Sequence, residues 1–212
     1  VSAGGAARSV TVDRTADGGD AAAVTFAQTL IGAAAEEAVA FTVAGLDSDA
    51  SGILTFSDGT DAVTVSVEGD GSGLADLSSL AEGAITVSLA LADGAGNTAT
   101  VDGPALTLDR TAPSRPTLSA VGGDGFVNAA EAEAGVTLSG TGEGGLSFTL
   151  GWDALSRTVT IGSDGTWSET IASADVPLDG SYTVTVGALT DAAGNVSAGG
   201  AARSVTVDRT AD

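Results

Sequence analysis

Seventeen residues, VSAGGAARSVTVDRTAD, occupy positions 1–17 and return unchanged at 196–212. A shorter relative, LTLDRTAP, stands between them at 106–113, so the marker Asp-Arg-Thr-Ala begins at Asp13, Asp109 and Asp208, with spacings of 96 and 99 residues. Recurrence at a fixed period marks a repeat architecture, and it constrains the fold before any local reading. It divides the chain into the end of a preceding repeat at 1–16 (a last strand and linker), a first module at 17–112, and a second at 113–212 that carries the start of the next linker. Modules of this length can bury a core without covalent staples, and the chain has no cysteine.

Within each module apolar and polar residues alternate with period two, the pattern of a strand with one buried and one wet face. In the first module this predicts strands at 21–30, 38–46, 52–57, 62–69, 73–80, 84–93 and 105–110. In the second it predicts strands at 116–121, 135–142, 146–152, 156–162, 166–172, 181–189 and 203–209. Turn-forming Gly, Asp, Asn and Ser separate them. The segment 32–38, GAAAEEA, is helix-prone but too short for a stable helix, so a loop or single helical turn is expected there. Short strands at regular intervals with no helical pattern between them predict an all-β fold: two tandem seven-stranded immunoglobulin-like β-sandwiches joined end to end. Phe126, Phe148, Trp167 and Tyr182 are the expected aromatic core of the second, with Trp152 at a strand end and partly exposed.

Several stretches resemble a known family. GGDGFVNAAEAEAGVTLSGTGEGG, GSDGTWS, DGSYTVTVGALTDAAGNVS and SVTVDRTA, in that order, resemble the tandem bacterial immunoglobulin-like repeats of giant surface adhesins, including RTX adhesins exported by type I secretion. The first module is similar to a sister variant through FTVAGLDSDASG, LADLSSLAEG, DGAGN and LTLDRTAP, but its first loop lacks the Asp-Gly and Asn-Ala-Ala-Glu pattern. The resemblance implies an extracellular or cell-surface location and linkers made rigid by calcium.

Charge points the same way. Seven Arg, with no Lys or His, face 28 acidic residues for a net charge of −21. Phosphate recognition needs clustered basic residues, which excludes nucleic acid as a partner, and the same charge disfavours an anionic membrane surface. No apolar run approaches the roughly 20 residues of a membrane span. Without His, Cys or Lys there is no imidazole base, thiolate or amine nucleophile. The acids lie in short turns, not around a cleft, so a non-enzymatic role is expected.

Calcium takes six to eight oxygen ligands from carboxylates, amides and carbonyls, which closely spaced Asp, Asn and Gly supply. In a seven-strand sandwich the chain enters at one end and leaves at the other. Asp93 and Asn97, and likewise Asp191 and Asn195, therefore belong to the leading end of their modules. Asp124, Asn128 and Glu131 belong to the trailing end of the second module, with the marker residues Asp109 and Asp208 at strand ends. Asp109 is expected to meet Asp191 and Asn195, and Asp13 to meet Asp93 and Asn97, with Asp47 and Asp49 nearby. These twelve residues are the candidate Ca2+ ligands, and the expected partners are neighbouring repeats of the same chain through calcium-bridged junctions. The same turns also make sense as tight turns without any ion.

The expected role is a stalk of a secreted or surface adhesin, serving adhesion or biofilm formation, in which each sandwich and linker adds something like 40 Å, given about 3.3 Å per strand residue. Two rivals stay open. One is direct binding of a carbohydrate or protein receptor; the other is homotypic contact between chains through Thr- and Val-rich edge strands.

Overall fold

In the computed structural model, which describes residues 12–16 and 21–210, period-two alternation becomes half-buried strand almost everywhere. The chain divides into two units, Val1–Asp109 and Arg110–Asp212. Most of the expected last strand of a preceding repeat, residues 1–11, lies outside the described residues.

Unit 1 contains β1 (Ala23–Phe26), β2 (Leu30–Gly32), β3 (Val39–Ala44), β4 (Ser51–Ser57), β5 (Ala62–Val67), β6 (Gly71–Ala75), β7 (Gly83–Ala92), β8 (Thr98–Asp102) and β9 (Leu106–Asp109). One sheet has the order β1-β3-β6 and the other β2-β9-β7-β4-β5, with β8 also on β7. Burial in VAFTVA of β3 alternates strictly, as its sequence does. The two sheets meet through Phe26, Phe41 and Phe56, with Phe56 6.0 Å from Phe26 and 6.4 Å from Phe41 between ring centroids. Leu54, Leu77, Ile85, Leu89 and Leu108 fill the rest of the core.

Seven predicted strands become nine segments in this unit: the predicted strand 21–30 splits in two, and β8 forms at 98–102, a stretch for which no strand is predicted. The predicted strand 21–30 changes sheets: β1 pairs antiparallel with β3, and β2 crosses over to pair parallel with β9. The return path along β7 is broken at Gly103-Pro104. Pro104 has no N–H to contribute to a ladder, and a side chain at Gly103 would stand 2.8 Å from Val87. The segment 32–38 forms the expected short turn, a 3-10 turn at Glu36–Ala38.

Unit 2 contains β10 (Phe126–Asn128), the helix α1 (Ala129–Ala134), β11 (Val136–Thr141), β12 (Ser147–Trp152), β13 (Leu155–Thr160), β14 (Thr166–Ile171), β15 (Gly180–Val186) and β16 (Ala202–Asp208). Its sheets are β10-β16-β15-β12-β13 and β11-β14. The predicted strand 116–121 runs beside β11, with Thr117 N–H donating to Thr141 O and Ser119 N–H to Ser139 O, but it forms no continuous ladder. The chain then crosses, as in unit 1, and β10 pairs parallel with β16.

The helix α1 corrects the expectation that no helix interrupts the strands. It is held by a capping box: the Asn128 side chain accepts from Glu131 N–H at 3.1 Å, and Glu131 accepts from Asn128 N–H at 2.9 Å. Two aromatic expectations also change. Trp152 is 1% exposed, packed deep in the core, and its indole N–H has no partner among the described residues. Phe126 is 59% exposed, because the short strand β10 turns its side chain outward. Phe148 and Trp167 do form the core, edge to face at 5.0 Å across the two sheets, with Tyr182 partly buried against it. Arg157 on β13 bonds Glu169 on β14 at 2.8 Å and Asp175 at 2.7 Å, which ties the outer edges of the sheets together.

Candidate functional site

At the acidic turns near the strand ends the chemistry of the side chains, not their bulk, sets the arrangement. The loops Asp93–Asn97 and Asp191–Asn195 adopt one geometry in both units. Asn97 N–H donates to Asp93 Oδ1 at 2.8 Å and its side-chain amide to Oδ2 at 2.7 Å. The matching distances for Asn195 and Asp191 are 2.9 and 3.0 Å. Gly96 and Gly194 sit at φ of 90° and 89°, a left-handed conformation that glycine adopts without strain.

Desolvation pushes the Asp93 and Asp191 carboxyls up, but the Asn side chain and the backbone N–H groups of each loop outweigh it, and both end below the usual carboxylate range. These loops are therefore self-contained Asx-type turns that favour a carboxylate anion.

The leading end of unit 1 gathers further acids. Register puts the start of β1 opposite the end of β3, Ala23 against Ala44, and the start of β4 opposite the end of β7, Ser51 against Ala92. Asp47 and Asp49 therefore share an end with Asp93 and Asn97. A side chain at Gly94 would stand 3.0 Å from Asp49 Oδ2. Thr15 links Asp13 to the group: its N–H donates to Asp13 Oδ1 at 3.3 Å and its hydroxyl to Asp47 Oδ2 at 3.5 Å. Asp70 joins them by accepting from Leu46 N–H at 2.9 Å. Asp70 is not among the twelve candidate ligands; its place at this end follows from the pairing of Gly71 with Val43, a long-range register that no local pattern reveals.

Asp109 ends β9 at the opposite end of unit 1, paired with Gly32. In unit 2 the same separation holds. Asp208 ends β16 directly opposite Asn128, and Asp124 and Glu131 flank the Gly122 turn, each with an oxygen 3.6 Å from where a Gly122 side chain would begin. Asp191 and Asn195 lie beyond the other end of β15.

Asp208 accepts from the Thr210 hydroxyl at 2.7 Å and N–H at 2.9 Å, and these bonds, side chain first, lower its pKa. Arg209 of the marker is bound to its own unit, by an ion pair with Asp179 at 3.8 Å and hydrogen bonds to the carbonyls of Val176 and Pro177.

No protein-family model matches the chain, and no curated protein matches it. Solved structures do. One, from work on host cell surface retention of a 1.5-MDa bacterial ice-binding adhesin, is 26% identical over 90% of this chain and 65% of its own, with a TM-score of 0.51. Another, a Ca2+-stabilized adhesin that helps an Antarctic bacterium reach out and bind ice, is 27% identical over 94% of this chain and 51% of its own, with a TM-score of 0.52. The chain resembles the tandem immunoglobulin-like repeats of giant bacterial adhesins. A bacterial immunoglobulin-like domain from the M. primoryensis ice-binding adhesin is 30% identical over 47% of this chain and all of its own, with a TM-score of 0.36. This chain thus spans about half to two thirds of the length of the two adhesin structures described first.

The donor chemistry of these adhesin-like repeats, carboxylate and amide oxygens, fits a hard cation such as calcium. Their geometry fits less well: among the described residues no three acidic groups converge on one point. Each unit end offers separated acids such as Asp49 beside the Asp93 loop, so carbonyl oxygens and water would have to complete any coordination shell. Among the described residues no helix is long and apolar enough to cross a membrane.

Proposed function

We propose that the chain is a non-catalytic structural repeat, an extender, of a large calcium-dependent bacterial adhesin, secreted or held at the cell surface. It supplies length and calcium-dependent rigidity for adhesion or biofilm formation. Its partners are neighbouring repeats of the same chain, through calcium-bridged junctions, with the twelve Asp, Asn and Glu residues at the unit ends as the donor pool.

The observation that carries the reading is the short join between repeats. Asp208 is the last residue of β16, and Asp13 is its sequence counterpart. Three residues further on, Ala16 is already buried in the core of unit 1. Only Arg14 and Thr15 lie between, and a connection of that length leaves the chain little freedom. The likeness to two adhesin structures above 25% identity supports the same role, and the calcium-stabilised one supports the choice of ion.

The test is thermal unfolding in EDTA, in calcium and in magnesium. Calcium at a hundredfold excess over its dissociation constant adds about 2.7 kcal/mol, on the order of 10 °C in Tm for a domain of this size. A calcium-specific rise of that order is expected; identical curves in all three conditions would remove calcium from the account.

A further inference from the structure

Strand β16 has two edges, and unit 2 pairs them unequally. On one side it is paired with β15 from Ala202 to Val207. On the other it meets β10 only from Thr206 to Asp208, with Thr206 N–H donating across to Gly125 O at 3.0 Å. Backbone groups along a strand point to alternate sides, so those of Ala202 and Ser204 point the same way as those of Thr206, short of the start of β10. Across this opening, Thr117 and Ser119 turn their N–H groups to β11, which leaves the backbone groups of Leu118 facing β16. The result is an open groove of about 510 Å³ between Arg115–Leu118 on one wall and Ala201–Arg203 on the other.

Two arginines rim this groove. Arg203 shares its face of β16 with the buried Val205 and Val207, so it points between the sheets, where its Nε–H donates to Leu118 O. Arg115 reaches from the opposite wall, and its Nε and Nη2 groups both donate to Gly200 O. A guanidinium carries five N–H donors, so most of them stay available. Arg157 and Arg209 are paired with Glu169, Asp175 and Asp179 of their own unit, whereas neither groove arginine has a carboxylate at ion-pair distance among the described residues. In a chain of net charge −21 this is a local reversal of sign. Unit 1 does not repeat it: aligned on the marker aspartate, it carries Pro104 where unit 2 carries Arg203.

We propose that this groove binds an acidic peptide segment of a partner protein in extended conformation. Leu118, Ala202 and Ser204 supply backbone groups for a short added ladder, and Arg115 and Arg203 receive the carboxylates. Pairing with an open sheet edge gives affinity through main-chain hydrogen bonds and specificity through the side chains beside them. Arginine meets a carboxylate through charge-assisted bonds in a fixed planar geometry. The opposite charge has to come from the occupant, since a basic segment would set its own cations against two guanidiniums. The site needs no metal ion and stands apart from the calcium reading.

The test is an amide NMR titration of the full chain in EDTA with a synthetic peptide of alternating Thr and Asp, capped at both ends, beside its Thr-Asn counterpart and acetate. Saturable shifts are expected at Leu118, Ala202 and Ser204, weakening as salt is raised. The Thr-Asn peptide should bind about tenfold more weakly, because its bonds to arginine are not charge-assisted on both sides. Arg115→Gln together with Arg203→Gln should abolish binding. Both tryptophans, Trp152 and Trp167, lie buried in unit 2, so unchanged emission shows that the unit is intact. Should the double variant lose its buried emission, the unaltered chain decides the matter, since binding indifferent to salt would overturn the proposal. Absence of shifts at the three amides in millimolar Thr-Asp peptide would overturn it too. So would acetate moving them as strongly as the peptide, or binding that strengthens when the arginines are replaced, which would make them guards of an open edge.

Discussion

Asn97 donates to both carboxylate oxygens of Asp93, and Asn195 repeats the arrangement on Asp191 in the second unit, with distances that agree within 0.3 Å. Two sequences, DGAGN and DAAGN, thus fold into one turn whose charge is held inside a cage of donors. Asp93→Ala and Asp191→Ala remove the acceptor of both bonds. Each should lower the Tm of its own unit in EDTA, while Asp191→Asn, which keeps an acceptor oxygen, should lower it less. If these carboxylates also bind calcium, all three variants lose part of the calcium-induced rise; comparing Tm with and without the ion separates the two roles.

Acid should act late. Asp58, Asp93, Asp164, Asp191 and Asp208 all have lowered pKa values in the folded chain. A lowered folded value contributes stability that is present above the unfolded value of 3.8 and is lost as pH falls through the lower folded value. The chain has no His to titrate in the neutral range. In EDTA, Tm should therefore vary little between pH 5 and 8 and fall steeply below about pH 4, as a calorimetric pH series would show. A transition centred near pH 6 would contradict this.

The capping box of α1 gives a third expectation. Asn128→Ala should destabilise unit 2 by about 1 kcal/mol, read from the urea midpoint of tryptophan fluorescence. Glu131→Gln keeps an acceptor for Asn128 N–H and should cost less. A loss from Asn128→Ala several times larger, present only in calcium, would place the amide in an ion shell.

Core substitutions should act unit by unit. Leu54 in unit 1 and Leu150 in unit 2 are fully buried, so truncation of either to Ala should cost about 2–5 kcal/mol. Because both tryptophans are in unit 2, Leu150→Ala should shift the fluorescence transition and Leu54→Ala should leave it in place. A shift from both would mean that the units unfold as one.

Much of this fold was legible in period-two alternation, as in VAFTVA at 39–44 or SFTLGW at 147–152, because a half-buried strand records its own faces in its sequence. The departures have non-local causes. Nothing local to Ala27–Thr29 says that the chain changes sheets there; the cause is the parallel pairing of β2 with β9, more than seventy residues on. Phe126 is exposed, and Trp152 buried, for the same kind of reason. The short α1, AAEAEA, has no apolar stripe to announce it. Its signal is the pair Asn128 and Glu131 at capping-box spacing. At the candidate site, the two Asp–Asn turns and the leading-end acids were legible from spacing and topology, whereas the arrival of Asp70 depended on strand register.

The central claim is that cation at the unit ends stiffens the chain, and small-angle X-ray scattering of the 212-residue protein in EDTA and then in millimolar calcium, with magnesium as control, tests it most directly. The account predicts a calcium-specific increase in maximum dimension and a narrower distance distribution, reduced by Asp109→Ala and Asp191→Ala together. Superimposable profiles in EDTA and calcium would contradict it and leave the acidic turns as hydrogen-bonded loops that take no part in stiffening.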